Sequence, residues 1–210
     1  ASREERPPHF DFIREIAEEC FIPLTYGGGI ASREDAGRLF GLGVERICLN
    51  SAAVRRPALI RELSESFGSQ SIVVAMDVRR DWLGRYRLAP CGVPAVADPG
   101  DVVEYARRCE GLGAGELLVS AIDRDGTSHG YDLDLLGRVS TAVGIPVIAA
   151  GGAGNLEHMR DAIALGGASA AAAGTLFVLT GRHRAVLIQY PSRADIRRVF
   201  GPPPEAFGES

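Results

Sequence analysis

Continuous apolar runs alternate along this chain with stretches whose apolar positions recur every three or four residues. The runs are Phe21–Tyr26, Glu45–Asn50, Ser71–Val78, Glu116–Asp123, Pro146–Ala150 and Ala168–Gly174. Several consist almost wholly of Val, Ile, Leu and Ala, the pattern of strands buried on both faces of a parallel sheet. Helical periodicity fills the gaps, with boundary signals at the ends. Ser32 and Asp35 read as a capping box, Asp standing in for Glu, and open Ser32–Leu42. Pro57 suits the first turn of a helix that runs to Phe67 and is closed by Gly68. Pro99 precedes a helix that ends near Leu112, before Gly113, and Asp132–Val143 and Asn155–Leu165 complete the set. Strand then helix, repeated, predicts parallel βα units. The segment RRDWLGRYRLAPCG (79–92) alternates polar and apolar residues around Gly84 and predicts a small hairpin after the third strand. The opening ASREERPPHF has neither an initiator Met nor a first structural element.

The alternation contains a duplication. IPLTYGGGIASREDA (22–36) aligns with IPVIAAGGAGNLEHM (145–159) at an offset of 123 residues, and GLGVERICLNSA (41–52) falls on ALGGASAAAAGT (164–175) at the same offset. A whole β-turn-α-β unit is thus repeated, at a spacing far too long for a solenoid. The spacing fits two halves of one closed barrel. If the first and second strands match the fifth and sixth, the third and fourth require counterparts before residue 1, which brings the six visible strands to eight. The expected fold is therefore α/β: a (βα)8 TIM barrel of duplicated half-barrels, truncated at its N-terminus by about two strands. A counterpart of Asp77 would fall about 46 residues before the first residue. A doubly wound open sheet is the alternative, but it leaves the half-length duplication unexplained. Residues 1–190 are expected to form the partial barrel and 191–210 a C-terminal tail, whose GPPPEAFGES end should be mobile. With two strands missing, the chain is expected to be poorly stable and inactive by itself.

Composition narrows the function classes. The 210 residues carry a net charge of −4, which offers no general attraction for nucleic acid or an anionic membrane. No apolar run approaches the roughly 20 residues that span a bilayer. Cys20, Cys48, Cys91 and Cys109 are widely spaced without a CxxC pair and read as free thiols of a reducing, cytoplasmic compartment. His9, His129, His158 and His183 lack metal-ligand spacing, so neither a metal nor another cofactor is expected.

In a parallel barrel the site lies where strands end. Gly27, Gly28 and Gly29 follow the first apolar run, and Gly151 and Gly152 follow its repeat, each directly before a helix start. Glycine there admits a ligand close to the backbone, and helix-starting N–H groups favour anions. NSAA (50–53) and AGT (173–175) end the next strands in the same way. Two phosphate cradles, across the barrel mouth from each other, would hold a substrate phosphorylated at both ends. Asp77 ends the strand SIVVAMD, where burial can tune a carboxyl for general acid–base work; Asp123 and Asp125 follow another strand and read equally as turn formers.

FIPLTYGGGI, LNSAAV, FGSQSIVVAMD, GAGELLVSAIDRDGTSHGYD and IPVIAAGGAG, in this order, resemble the cyclase subunit of imidazole glycerol phosphate synthase over about residues 20–178. The resemblance implies a half-barrel-duplicated (βα)8 fold. It also implies a reaction in which ammonia joins a bis-phosphorylated ribulosyl-formimino intermediate, which is then cyclised and cleaved to imidazole glycerol phosphate and an aminoimidazole carboxamide ribotide. The implied partner is a glutaminase subunit, in a heterodimer, which sends ammonia through the barrel from the face opposite the site. Motif by motif, the resemblance makes Asp77 one of two catalytic aspartates. It puts Gly29, Asn50 and Ser51 at one phosphate, Gly126, Gly152, Gly174 and Thr175 at the other, and Ser120 and Asp125 at further substrate contacts. Glu45, Arg46 and Glu116 fall at the face where ammonia enters.

The chain departs from that pattern in places. The other catalytic aspartate and the lysine of the loop after it belong to a first strand with no match here. Arg46 replaces a usual lysine, Tyr26 a usual valine, and Ala150 a serine that contacts phosphate. The stretch AVLIQYP (185–191) resembles instead a paralogous branch that works beside an amidotransferase on amidated sugars of surface polysaccharide. A non-catalytic scaffold for the glutaminase would have no use for Asp77 and both cradles. A related half-barrel-duplicated isomerase fits GSQSIVVAMD and GELLVSAIDRDGT less well than the cyclase does.

Overall fold

The computed structural model describes residues 7–89, 101–180 and 185–201. Six parallel strands form one sheet in the order β1 (Thr25–Gly27), β2 (Arg46–Leu49), β3 (Ile72–Arg80), β5 (Glu116–Ala121), β6 (Val147–Ala150) and β7 (Ala170–Ala171). The short strand β4 (Tyr86–Leu88) runs antiparallel to the end of β3, which is the hairpin that the alternation around Gly84 predicts. Between the strands lie helices α2 (Arg33–Gly41), α3 (Ser51–Arg55), α4 (Ala58–Phe67), α5 (Val102–Gly111), α6 (Leu133–Ser140), α7 (Leu156–Ala164) and α8 (Thr175–Val178). A helix α1 (Phe10–Glu19) precedes β1. The pair β8 (Leu179–Thr180) and β9 (Ala185–Val186) and a helix α9 (Arg193–Phe200) follow α8. The predicted start of a helix at Pro99, Cys91, His183, the first six residues and the end of the tail lie outside the described residues.

Strand–helix alternation is thus as the apolar pattern predicts, and the duplication is structural. Helix α2 starts after Ser32 and α7 after Asn155, 123 positions later, and each side chain caps the N–H three residues on. Ser32 and Asp35 exchange both bonds of a capping box, each 3.1 Å long. The six strands are those of a (βα)8 barrel, with β1 and β7 as the edges of the described sheet.

The two faces of the sheet differ. Side chains alternate between faces along a strand, and one set, including Ile47, Leu49, Val74, Met76, Leu117 and Val119, is at most 1% exposed beneath the helices. Leu39, Leu59, Ile60, Leu63, Tyr105 and Leu135 meet them from α2, α4, α5 and α6. The other set, including Cys48, Asp77, Leu118, Ser120 and Ala150, is only partly covered and lines the concave side.

At the carboxyl ends of β3 and β5 the hairpin is fastened to α6 by a polar cluster. Asp132, 6% exposed, caps α6 by accepting the Leu135 N–H at 3.1 Å. Its carboxylate also accepts the Tyr86 hydroxyl at 2.8 Å and the Arg80 guanidinium at 3.3 Å, and Arg80 further donates to the Tyr86 oxygen. Asp132→Ala removes a helix cap, the buried partner of Arg80 and one of the two carboxylates within reach of the Tyr86 hydroxyl, the other being Asp134 at 3.0 Å, and is expected to cost about 2–4 kcal/mol. The urea midpoint checks this; an unchanged midpoint would show that the hairpin is held by other contacts.

Candidate active site

Parallel register puts Asp77 beside Ser120 on β5, and Ser120 beside Ala150 on β6. These three positions form a row at the carboxyl ends of the strands. Two residues below Asp77 on the same face is Ala75, and two below Ser120 is Leu118, so polar groups crown an apolar wall. The row opens into a cavity of about 610 Å³ that is also lined by Gly28, Gly29, Cys48, Asn50, Ser51 and Arg55. Gly28, Gly29, Asn50, Ser51, Asp77 and Ser120, drawn from four strands or their following loops, therefore share one cavity.

Asn50 is the hinge of this arrangement. It ends β2, and its side-chain amide donates to Asp77 Oδ2 at 2.8 Å. Its side chain does not cap α3, and its Oδ1 is buried without a partner among the described residues. The Asp77 carboxyl is pushed above the usual carboxylate range by burial; the Asn50 hydrogen bond opposes this, and the nearby charge of Asp125 adds to it. Such a group holds its proton more readily than a solvated aspartate does, which suits it to proton transfer. Burial and the Asp77 charge push the neighbouring Cys48 thiol up to about 11, so it stays protonated and acts as a weakly polar part of the wall. Cys20, Cys48 and Cys109 are all free thiols.

A second, much smaller concavity lies at the ends of β6 and β7. Asp125, Gly126, Gly151, Gly152, Gly174 and Thr175 line it with three alanines. Gly28 and Gly29 have φ of 120° and 73°, and Gly151 and Gly152, their equivalents in the repeat, 82° and 107°. The same left-handed turn thus follows both strands. The second turn is tied down by the Gly130 N–H, which donates to the Gly152 carbonyl at 2.8 Å, and by the Gly154 N–H, which donates to His158 Nδ1 at 3.1 Å. Tyr131 donates to the Ala172 carbonyl at 2.9 Å and fixes the end of β7.

Glu45, Arg46 and Glu116 sit at the opposite, amino-terminal ends of β2 and β5. There Arg46 and Glu116 form an ion pair, with Nη1 at 3.3 Å from both carboxylate oxygens. Asp123 is drawn away from the cavity: its carboxylate accepts the Arg80 backbone N–H at 2.6 Å. Cys48, which the sequence marks only as a free thiol, and Arg55, which it does not mark at all, also line the cavity. Among the described residues no group of three or more His, Cys, Asp or Glu side chains is placed to hold a metal ion, and no helix is long and apolar enough to cross a membrane.

Comparison with known proteins agrees with this architecture. Residues 1–183 match the model of the family described as "Histidine biosynthesis protein". Imidazole glycerol phosphate synthase subunit HisF of Alkaliphilus metalliredigens is 46% identical over 177 residues, covering 84% of this chain and 70% of that protein. The subunit HisF of Thermobifida fusca is 44% identical over 183 residues, with 84% and 70% covered. A Pseudomonas aeruginosa protein, named provisionally as imidazole glycerol phosphate synthase subunit hisF2, is 42% identical over 192 residues, with 91% and 76% covered. A family match over most of the chain, on the duplicated strand-turn-helix units just described, means that the chain belongs to the histidine biosynthesis protein family of (βα)8 barrels.

Proposed function

We propose that the chain carries the site of an ammonia-dependent cyclase of the imidazole glycerol phosphate synthase type, working in the cytoplasm in histidine biosynthesis. The observation that carries this reading is a half-buried carboxyl, Asp77, held by Asn50 in the cavity of one glycine cradle, with a second cradle at matching positions of the repeat. Gly28, Gly29, Asn50 and Ser51 would hold one phosphate of a bis-phosphorylated ribulosyl-formimino substrate. Gly126, Gly151, Gly152, Gly174 and Thr175 would hold the other. Hydrogen bonds to such charged groups contribute roughly 1.5–3 kcal/mol each, enough to stretch the substrate between the cradles with its reacting carbons over Ser120 and Asp77. Asp77 then moves the protons that ammonia addition, ring closure and cleavage require, and Asp125 contacts substrate and adds to the upward pKa shift that burial gives Asp77. A glutaminase partner would dock on the face of Glu45, Arg46 and Glu116 and deliver ammonia from there.

A second reading, a paralogue that works beside an amidotransferase on surface-polysaccharide sugars, is favoured by one observation. Ala150 ends the row Asp77–Ser120–Ala150 without a hydroxyl, so the second cradle has one hydroxyl donor fewer. Complementation of a cyclase-deficient histidine auxotroph with the intact gene separates the two. Growth without histidine is expected. Absence of growth, with soluble protein that still activates a purified glutaminase, would transfer the assignment to the paralogue.

A further inference from the structure

The two cradles are alike in backbone and unlike in charge. Arg55 is the one cationic side chain among the described residues that line the first cavity. It lies four residues after Ser51 on α3, so the two side chains share a helix face, and that face borders the cavity. The second concavity is lined by the carboxylate of Asp125 and, among the described residues, by no cation. The duplication sharpens the contrast. At the same 123-residue offset Arg55 falls on Val178 and Asn50 on Ala173, so these two polar side chains have no counterpart in the second half.

We infer that Arg55 is a substrate-binding residue: its guanidinium pairs with a phosphate monoester at the first cradle and makes this the tighter of the two sites. The inference rests on the two-cradle reading above and adds to it which cradle holds phosphate more tightly, and by which charge. A phosphate monoester carries between one and two negative charges near neutral pH, since its second pKa is about 6. Backbone N–H groups offer dipoles but no net charge. A guanidinium supplies charge and a planar fork that matches two phosphate oxygens. At the second cradle the Asp125 carboxylate opposes a second negative charge, so phosphate is held there less tightly. Arg55 is solvent-exposed, so its effect is the modest one of a screened pair, about fivefold in affinity.

Titration of the isotope-labelled protein with inorganic phosphate at fixed ionic strength, followed through backbone amide resonances, tests this. The Gly28, Gly29 and Ser51 amides are expected to respond at several-fold lower phosphate concentration than those of Gly152 and Gly174. In Arg55→Gln the first half-saturation should rise about fivefold, the second should not move, and Arg55→Lys should recover part of the loss. Resonances far from the cavity should superimpose on wild type, which a merely structural role of Arg55 would not allow. An unchanged first half-saturation in Arg55→Gln, or earlier filling of the second cradle in wild type, overturns the inference while both cradles stand. If phosphate perturbs neither cradle of the wild-type protein, the two-cradle reading falls and takes the inference with it.

Discussion

In the product of the intact gene, Asp77→Asn is expected to lower ammonium-driven turnover of the bis-phosphorylated substrate by about 100-fold or more, while leaving the protein at least as stable as wild type at neutral pH. The two halves of this expectation have one cause. Burial raises the Asp77 pKa, the Asn50 amide at 2.8 Å only partly opposes it, and the Asp125 charge raises it further. A carboxyl whose pKa is raised on folding contributes stability that is fully present below its unfolded pKa and is lost as pH rises through the folded value. At neutral pH the ionised group is therefore a burden on the fold, tolerated for its chemistry. Asparagine carries no charge, and its carbonyl oxygen still accepts the Asn50 N–H, so the packing survives while proton exchange does not. Turnover with an ammonium salt in place of the partner, together with urea midpoints at neutral and acid pH, measures both halves. The stability advantage of the variant should shrink on acidification. In wild type, any step that needs ionised Asp77 should fail on the acid side at a higher pH than a solvated aspartate would set. Near-wild-type turnover in Asp77→Asn would remove this residue from the mechanism.

What the sequence discloses and what it withholds follow from the range of the interactions. The duplication was legible because caps and turns are local: Ser32 and Asn155 announce α2 and α7, and glycine pairs announce left-handed turns in both halves. Strand lengths were less so. The apolar runs at Phe21–Tyr26 and Ala168–Gly174 yield strands of three and two residues, because an apolar run reports burial, whereas a ladder needs a hydrogen-bonding partner, and these strands have one on a single side. Helix α1 gave no cap signal of the usual kind. Its N-cap is His9, whose ring accepts the Phe12 N–H, and its Phe10 lies 3.5 Å beneath the Arg38 guanidinium of α2, a contact between distant parts of the chain. Asn50 was legible as a polar residue at a strand end, but its bond to Asp77 joins side chains 27 positions apart on neighbouring strand ends. Arg55, in the run NSAAVRR, is indistinguishable from a solvated helix face until the cavity beside it is known.

Gly152→Ala and Gly174→Ala should part company, although both glycines line the second cradle. At Gly152 the backbone has φ of 107°, and a Cβ would stand 2.3 Å from the Gly130 carbonyl oxygen and 3.1 Å from Arg124 Cβ. That carbonyl belongs to the loop whose Gly130 N–H bonds back to Gly152 at 2.8 Å, so the clash falls on the contact that joins the loops after β5 and β6. A left-handed non-glycine residue and an overpacked backbone contact each cost about 1–3 kcal/mol, so Gly152→Ala is expected to destabilise by roughly 2–6 kcal/mol, a large share of the about 5–15 kcal/mol that holds a typical domain. At Gly174 nothing among the described residues lies within 4 Å of an added Cβ, and the backbone is not left-handed. The alanine there should leave stability within about 0.5 kcal/mol of wild type. Its methyl group would nevertheless occupy the space a phosphate needs beside the backbone, and loss of one charged hydrogen bond lowers affinity about tenfold. Urea midpoints of both variants, with phosphate titration of the Gly126 and Gly152 amides in Gly174→Ala, decide the matter. A wild-type midpoint for Gly152→Ala would mean that the two loops do not approach as closely as described. Undiminished phosphate binding by Gly174→Ala would mean that the space beside Gly174 is empty for some reason other than a ligand, and the second cradle would have to be sought elsewhere on the barrel.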